Sequence, residues 1–108
     1  DRSYWERILM EEIRNYISAN LQTDLRAATV AEKQELSMPT LRRLFKKYQA
    51  QSYNRYIKEV RLKKAFELIT KEGYRVQQAM YTTGYKYKST FNKGFKRKFK
   101  YPPGHFQK

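Results

Sequence analysis

Two stretches of the chain carry one pattern of apolar anchors and hydrogen-bonding cations. Thr40-Leu41-Arg42-Arg43-Leu44-Phe45-Lys46-Lys47 is matched about 50 residues later by Thr90-Phe91-Asn92-Lys93-Gly94-Phe95-Lys96-Arg97. On a helix turning about 100° per residue, Leu44, Phe45 and Tyr48 cluster within about 60° of Leu41. Pro39, Arg42, Arg43 and Lys46 fall on the opposite side. In the second stretch Phe91, Gly94 and Phe95 share one side, and Ser89, Asn92, Lys93 and Lys96 the other. Arg pairs bidentately with guanine and Asn with adenine, while Lys suits a base or a phosphate. A helix anchored on one face and basic on the other fits a major groove about 12 Å wide. Any single cation here is as well explained by a solvated charge or a phosphate contact as by base reading; the specific signal is the pair of matched faces.

Those faces need helices to carry them, and the sequence supplies the signals. Trp5, Ile8, Leu9, Ile13, Tyr16 and Ile17 follow helical spacing and predict an amphipathic helix over about residues 4–20, with those six facing inward. A short helix at about 26–34 turns Val30 and Ala31 inward. Ser37 is a good N-cap, and Pro39 is tolerated in the first turn of a helix reaching about Gln49. Ser52 caps a long helix, about Tyr53–Lys71, which turns Tyr56, Ile57, Val60, Ala65, Phe66 and Ile69 inward and is stopped by Glu72-Gly73. Further helices are expected at about 75–82, ended by Gly84, and at about 88–100. Pro102-Pro103 opens a last turn holding Phe106. Phe91, Phe95 and Phe99 recur at helical spacing, which marks core more than base-stacking surface, and Gly94 beside them points to close helix packing. No strand pattern competes, so the expected fold is all-α.

Charge sharpens this reading. Residues 1–36 carry five Lys/Arg against seven Asp/Glu, whereas residues 37–108 carry nineteen against three, within a net charge of +14. Such a basic segment attracts a polyanion, nucleic acid first. With 40% hydrophobic and 16% aromatic residues the chain can bury a core, which argues against disorder. The absence of cysteine removes disulfide and thiolate-metal chemistry and fits a reducing interior. No apolar run approaches the roughly 20 residues of a membrane span, and nothing resembles a signal peptide. The single histidine, His105, has no nucleophile or carboxylate near it in sequence, and there is no phosphate-binding glycine loop or metal-ligand cluster. An enzyme is therefore not expected, and no cofactor or metal is called for. A basic helix lying on anionic membrane would need a free apolar face, whereas the pattern gives these faces packing partners. The remaining rival is a non-specific nucleic-acid-binding protein, nucleoid-like or RNA-binding, which charge alone would support.

Over about residues 8–107 the chain resembles the C-terminal DNA-binding domain of the AraC/XylS family of bacterial transcription regulators. In the first half the likeness rests on Val30-Ala31, Ser37, Leu41, Arg43-Leu44-Phe45-Lys46, Tyr56, Arg61-Leu62 and Ala65. In the second it rests on Val76, Gly84-Tyr85, Ser89, Phe91, Phe95-Lys96, Phe99, Pro103 and Phe106. The resemblance implies about seven helices in two homeodomain-like helix-turn-helix subdomains, about 4–50 and 75–107, joined by a long helix at 52–72. Mapped position by position, it implies base reading by Pro39, Thr40, Arg42 and Arg43 from the first subdomain. Lys88, Ser89, Asn92 and Lys93 would read from the second. Ser37, Lys46, Lys47, Lys96 and Arg97 are the expected phosphate contacts. Pro39 has no hydrogen-bonding side chain, so readout there would be apolar, as of a thymine methyl. The chain departs from the family where glycine is usual, in the first turn (Gln34-Glu35), near Ala50 and at Lys100, and also at Met80 and Gln107.

The resemblance further implies double-stranded DNA as partner, with RNA polymerase beside it, and a bacterial, cytoplasmic, nucleoid-associated setting. Both reading helices of one chain would address adjacent major grooves about one helical turn (roughly 34 Å) apart, a separation set by the long helix. Because the two faces differ, the preferred site would be asymmetric. The chain starts at Asp1 and not at Met, and so reads as a fragment whose sensing or dimerisation domain lies elsewhere.

Overall fold

Short local hydrogen bonds start and stop the helices of this chain, for which a computed structural model describes residues 1–108. Six α-helices succeed one another: α1 (Arg2–Ala19), α2 (Ala27–Lys33), α3 (Met38–Gln49), α4 (Tyr53–Thr70), α5 (Val76–Thr82) and α6 (Lys88–Phe99). A 3-10 helix, Pro103–Phe106, closes the chain. There is no strand, so the all-α expectation holds, and the count of about seven is reached by including the 3-10 turn. Ser37 caps α3, its Oγ accepting from the Thr40 N–H at 3.2 Å, with Pro39 in the first turn. Ser52 Oγ likewise accepts from the Arg55 N–H at the start of α4. Asp24 fixes the approach to α2, accepting from the Arg26 N–H, the Arg26 guanidinium and the Thr29 hydroxyl.

The turns that lead from α2 to α3 and from α5 to α6 share one geometry. In the first, the Leu36 N–H donates to the Ala31 carbonyl at 2.8 Å and the Glu35 N–H to the Glu32 carbonyl at 3.1 Å. In the second, the Tyr85 N–H donates to Met80 and the Gly84 N–H to Tyr81, both at 3.0 Å. These paired bonds satisfy the end carbonyls of each short helix and require a left-handed residue between them. Gly84 fills that place in the second turn with φ +93°, and Glu35 fills it in the first with φ +57°. The other two non-glycine residues at positive φ are Ala50 and Lys100, where α3 and α6 end. Three positions where the sequence departs from the family's usual glycine are thus the three left-handed side-chain-bearing residues.

The chain forms two compact units, Asp1–Lys58 and Glu59–Lys108, divided inside α4. The first half of α4 belongs to the first core. Tyr53 and Tyr56 each meet the Phe45 ring edge-on at 5.0 Å, and the Tyr53 hydroxyl donates to the Leu25 carbonyl at 2.7 Å. Met10, Ile13, Ile17, Val30, Ala31, Leu41 and Leu44 complete that core. The second half of α4 supplies Leu62, Ala65, Leu68 and Ile69 to the other core, where they join Ala79, Met80, Phe91 and Phe95. Phe66 stacks on Phe99 at 4.5 Å and meets Phe106 edge-on at 5.1 Å.

One inward assignment in α1 is corrected. Trp5 is 65% exposed, its ring edge-on against Tyr4. The buried stripe runs instead through Glu6, Met10, Ile13 and Ile17. A carboxylate occupies that stripe because the cations that satisfy it come from α3, remote in sequence. Ile8, Leu9 and Tyr16 are half-buried flanks of the same stripe; on α4, Val60 and Phe66 are also half-buried, Phe66 against the second core.

Candidate nucleic-acid interface

In the first unit α3 is fixed through Leu41, Leu44 and Phe45, all essentially without exposure. Its opposite face presents Pro39, Arg42, Arg43 and Lys46 to solvent, with Ser37 and Lys47 also exposed. Thr40 is half-buried; its hydroxyl oxygen accepts from the Ser37 hydroxyl at 2.9 Å, which ties it to the cap.

Two of these cations are directed by a residue that sequence reasoning missed. Glu6 on α1, 7% exposed, accepts from Arg43 Nη2 at 2.9 Å through Oε2. Its Oε1 accepts from Lys47 Nζ and from the Tyr48 hydroxyl, each at 2.9 Å. The Lys47 and Arg43 donors, followed by Tyr48, hold the Glu6 carboxyl down at about 2, against the desolvation that would raise it. Lys47 is pushed above the usual lysine range, first by its bond to Glu6. A signal did exist: Glu6 stands four residues before Met10 and seven before Ile13, in phase with the buried stripe. Sequence alone could not tell which cations would meet it.

In the second unit Phe91, Gly94 and Phe95 are buried and anchor α6. Lys88, Ser89, Lys93, Lys96 and Arg97 are exposed, while Asn92 is half-buried. An open groove of about 430 Å³ brings Lys88, Asn92, Lys93 and Lys96 together against Val76 and Pro102-Pro103-Gly104. Three ammonium groups and an amide around such a groove can attract a phosphate and hydrogen-bond a base edge. The far side of α6 is staked by an ion pair between Lys98 and Glu59 of α4. Gln107, one of the departures from the family pattern, accepts from the Val76 N–H at 3.3 Å and so caps α5. Met80, another, is buried in this unit's core. No helix is long and apolar enough to cross a membrane.

A family model described as a helix-turn-helix domain matches residues 30–108. Regulatory protein PocR of Salmonella typhimurium is 31% identical over 94 residues, which cover 87% of this chain and 31% of PocR. The chain thus spans about a third of that relative's length. A transcriptional regulator from Chromobacterium violaceum, described among AraC-type DNA-binding domain-containing proteins, superposes with a TM-score of 0.83. It is 22% identical, over 96% of this chain and 93% of that one. The DNA-binding domain of AdpA, solved in complex with a target DNA, superposes with a TM-score of 0.81 at 18% identity, over 89% of this chain and 86% of its own.

Proposed function

The chain belongs to the AraC-type helix-turn-helix family of transcription regulators, and from that premise we propose that it reads duplex DNA in a sequence-specific way. One chain would bind with α3 and α6 in adjacent major grooves, about one helical turn apart. The observation that carries this reading is the repeated pair of faces. In each unit one helix buries its apolar side and exposes cations and hydrogen-bonding groups at aligned positions. Base reading falls to Pro39, Thr40, Arg42 and Arg43 on α3, and to Lys88, Ser89, Asn92 and Lys93 on α6. Ser37, Lys46, Lys96 and Arg97 serve the DNA backbone. Lys47, expected among them, starts from its ion pair with Glu6.

The two faces carry different chemistry, an arginine pair on one and an asparagine among lysines on the other, so the site they select is not a palindrome. Contact with RNA polymerase and control by a sensing or dimerisation domain elsewhere in the protein belong to the same reading, with the bacterial cytoplasm as its setting. In vitro selection from random duplex DNA tests it. The expected product is an asymmetric motif with two parts centred about 10 base pairs apart. Enrichment of no motif would favour a non-specific basic protein, and a palindrome would contradict reading by a single chain.

A further inference from the structure

The Glu6 network does something that packing α1 against α3 does not require. Leu41, Leu44 and Phe45 already anchor α3 with full burial. The carboxylate, its side chain 9% exposed, instead meets the charged edge of the helix and takes Arg43, Lys47 and the Tyr48 hydroxyl together. Arg2 adds a fourth donor group at 3.4 Å.

The consequences for the two cations differ because their chemistry differs. A guanidinium carries five N–H donors in a planar fork. Arg43 donates to Glu6 through Nη2, and its side chain remains 45% exposed. Its other donors are left for a base edge, in an orientation fixed before binding. An ammonium is a compact point charge with no preferred plane. Lys47, paired with Glu6 and lying 5.2 Å from the centre of the Tyr48 ring, has its charge compensated within the protein. A compensated cation releases no counterion from DNA and adds nothing to non-specific attraction. In α6 the aligned residues Lys93 and Arg97 are exposed and engage no carboxylate.

We propose that Glu6 is a specificity-determining residue of the first reading helix, aiming Arg43 at a base edge while withholding Lys47 from the DNA backbone. This rests on the reading that α3 enters a major groove. On this account α3 is tuned toward discrimination, and α6, with its uncompensated cations, supplies more of the sequence-independent attraction.

The test is the salt dependence of binding by wild type, Glu6→Gln, Lys47→Gln and the double variant. Each is titrated on a random-sequence duplex and on the duplex selected by wild type. Glutamine keeps the size of the side chain and removes its charge. Removing one carboxylate frees one net positive charge, so the log–log salt slope of Glu6→Gln on random duplex should steepen by about 0.9. Between 50 and 200 mM salt that is an extra loss of about 3.5-fold in affinity. The ratio of selected to random affinity should fall about tenfold, since one base pair's discrimination is of that order. Lys47→Gln alone should leave the slope nearly unchanged, yet flatten it by about 0.9 in the Glu6→Gln background. Folded Glu6→Gln with the wild-type slope would overturn the proposal. So would a drop of about 0.9 from Lys47→Gln alone, an outcome that decides the matter even if Glu6→Gln does not fold. A wild type that selects no sequence would overturn the groove reading itself, whereas unchanged slopes in a selective protein overturn only the role of Glu6.

Discussion

Replacing Glu35 by glycine should stabilise the protein. Glu35 sits at φ +57° in the turn between α2 and α3, where its N–H donates to Glu32 and the next N–H to Ala31. A side-chain-bearing residue in the left-handed region costs roughly 1–2 kcal/mol. Glycine removes that cost but loses about 0.5–1 kcal/mol more conformational freedom on folding. The Glu35 side chain is exposed and forms no ion pair, so nothing else is lost. The net gain is about 0.5–1 kcal/mol, or about 2–4 °C in Tm for a chain of this size. The second turn provides the reverse experiment: Gly84→Ala, at φ +93°, should cost roughly 1–2 kcal/mol. Thermal unfolding by circular dichroism, repeated in urea, reads both. A lower Tm for Glu35→Gly, or an unchanged one for Gly84→Ala, would refute the argument that these turns demand a left-handed residue.

Acid should weaken the first unit. The Glu6 carboxyl lies at about 2 in the folded protein against an ordinary value of 4.5, and Asp24 is depressed in the same direction, chiefly by Arg26. Their stabilisation is therefore complete above pH 4.5 and lost as pH falls toward 2; urea midpoints across that interval should fall, less steeply for Glu6→Gln. Phe95→Ala, which empties a fully buried site among the rings of Phe66, Phe91, Phe99 and Phe106, should cost about 3–5 kcal/mol by denaturant titration. Lys96→Ala should weaken all duplex sequences alike and flatten the salt slope by about 0.9, read by fluorescence titration; a change in the selected sequence would contradict a backbone role.

The parts of this protein governed by local rules could be read directly from its sequence. Ser37 followed by Pro39 marked the start of α3, Gly73 and Gly84 marked helix ends, and the apolar spacing of Leu41–Phe45 and Phe91–Phe95 fixed which faces remained outside. What stayed hidden depended on contacts remote in sequence. Trp5 looks like a better core residue than Glu6, and only the cations of α3 reverse that order. The apolar residues of α4 serve two cores in turn, which is why Leu62 and Leu68 escaped the stripe drawn through Tyr56, Ile57 and Ala65. The left-handed turn at Glu35 carries no glycine, so its backbone was visible only through comparison with the family pattern.

The central claim, that two helices of one chain read two parts of one DNA site, is tested most directly by repeating the duplex selection with one helix altered at a time. Arg42→Ala changes an exposed residue of α3, and Asn92→Ala one that lines the groove beside α6. Each variant should lose sequence preference in one part of the wild-type motif and keep it in the other, the two losses falling on opposite parts. If both variants erased the same part, or if either left the whole motif intact, the assignment of one reading helix to each part would be contradicted.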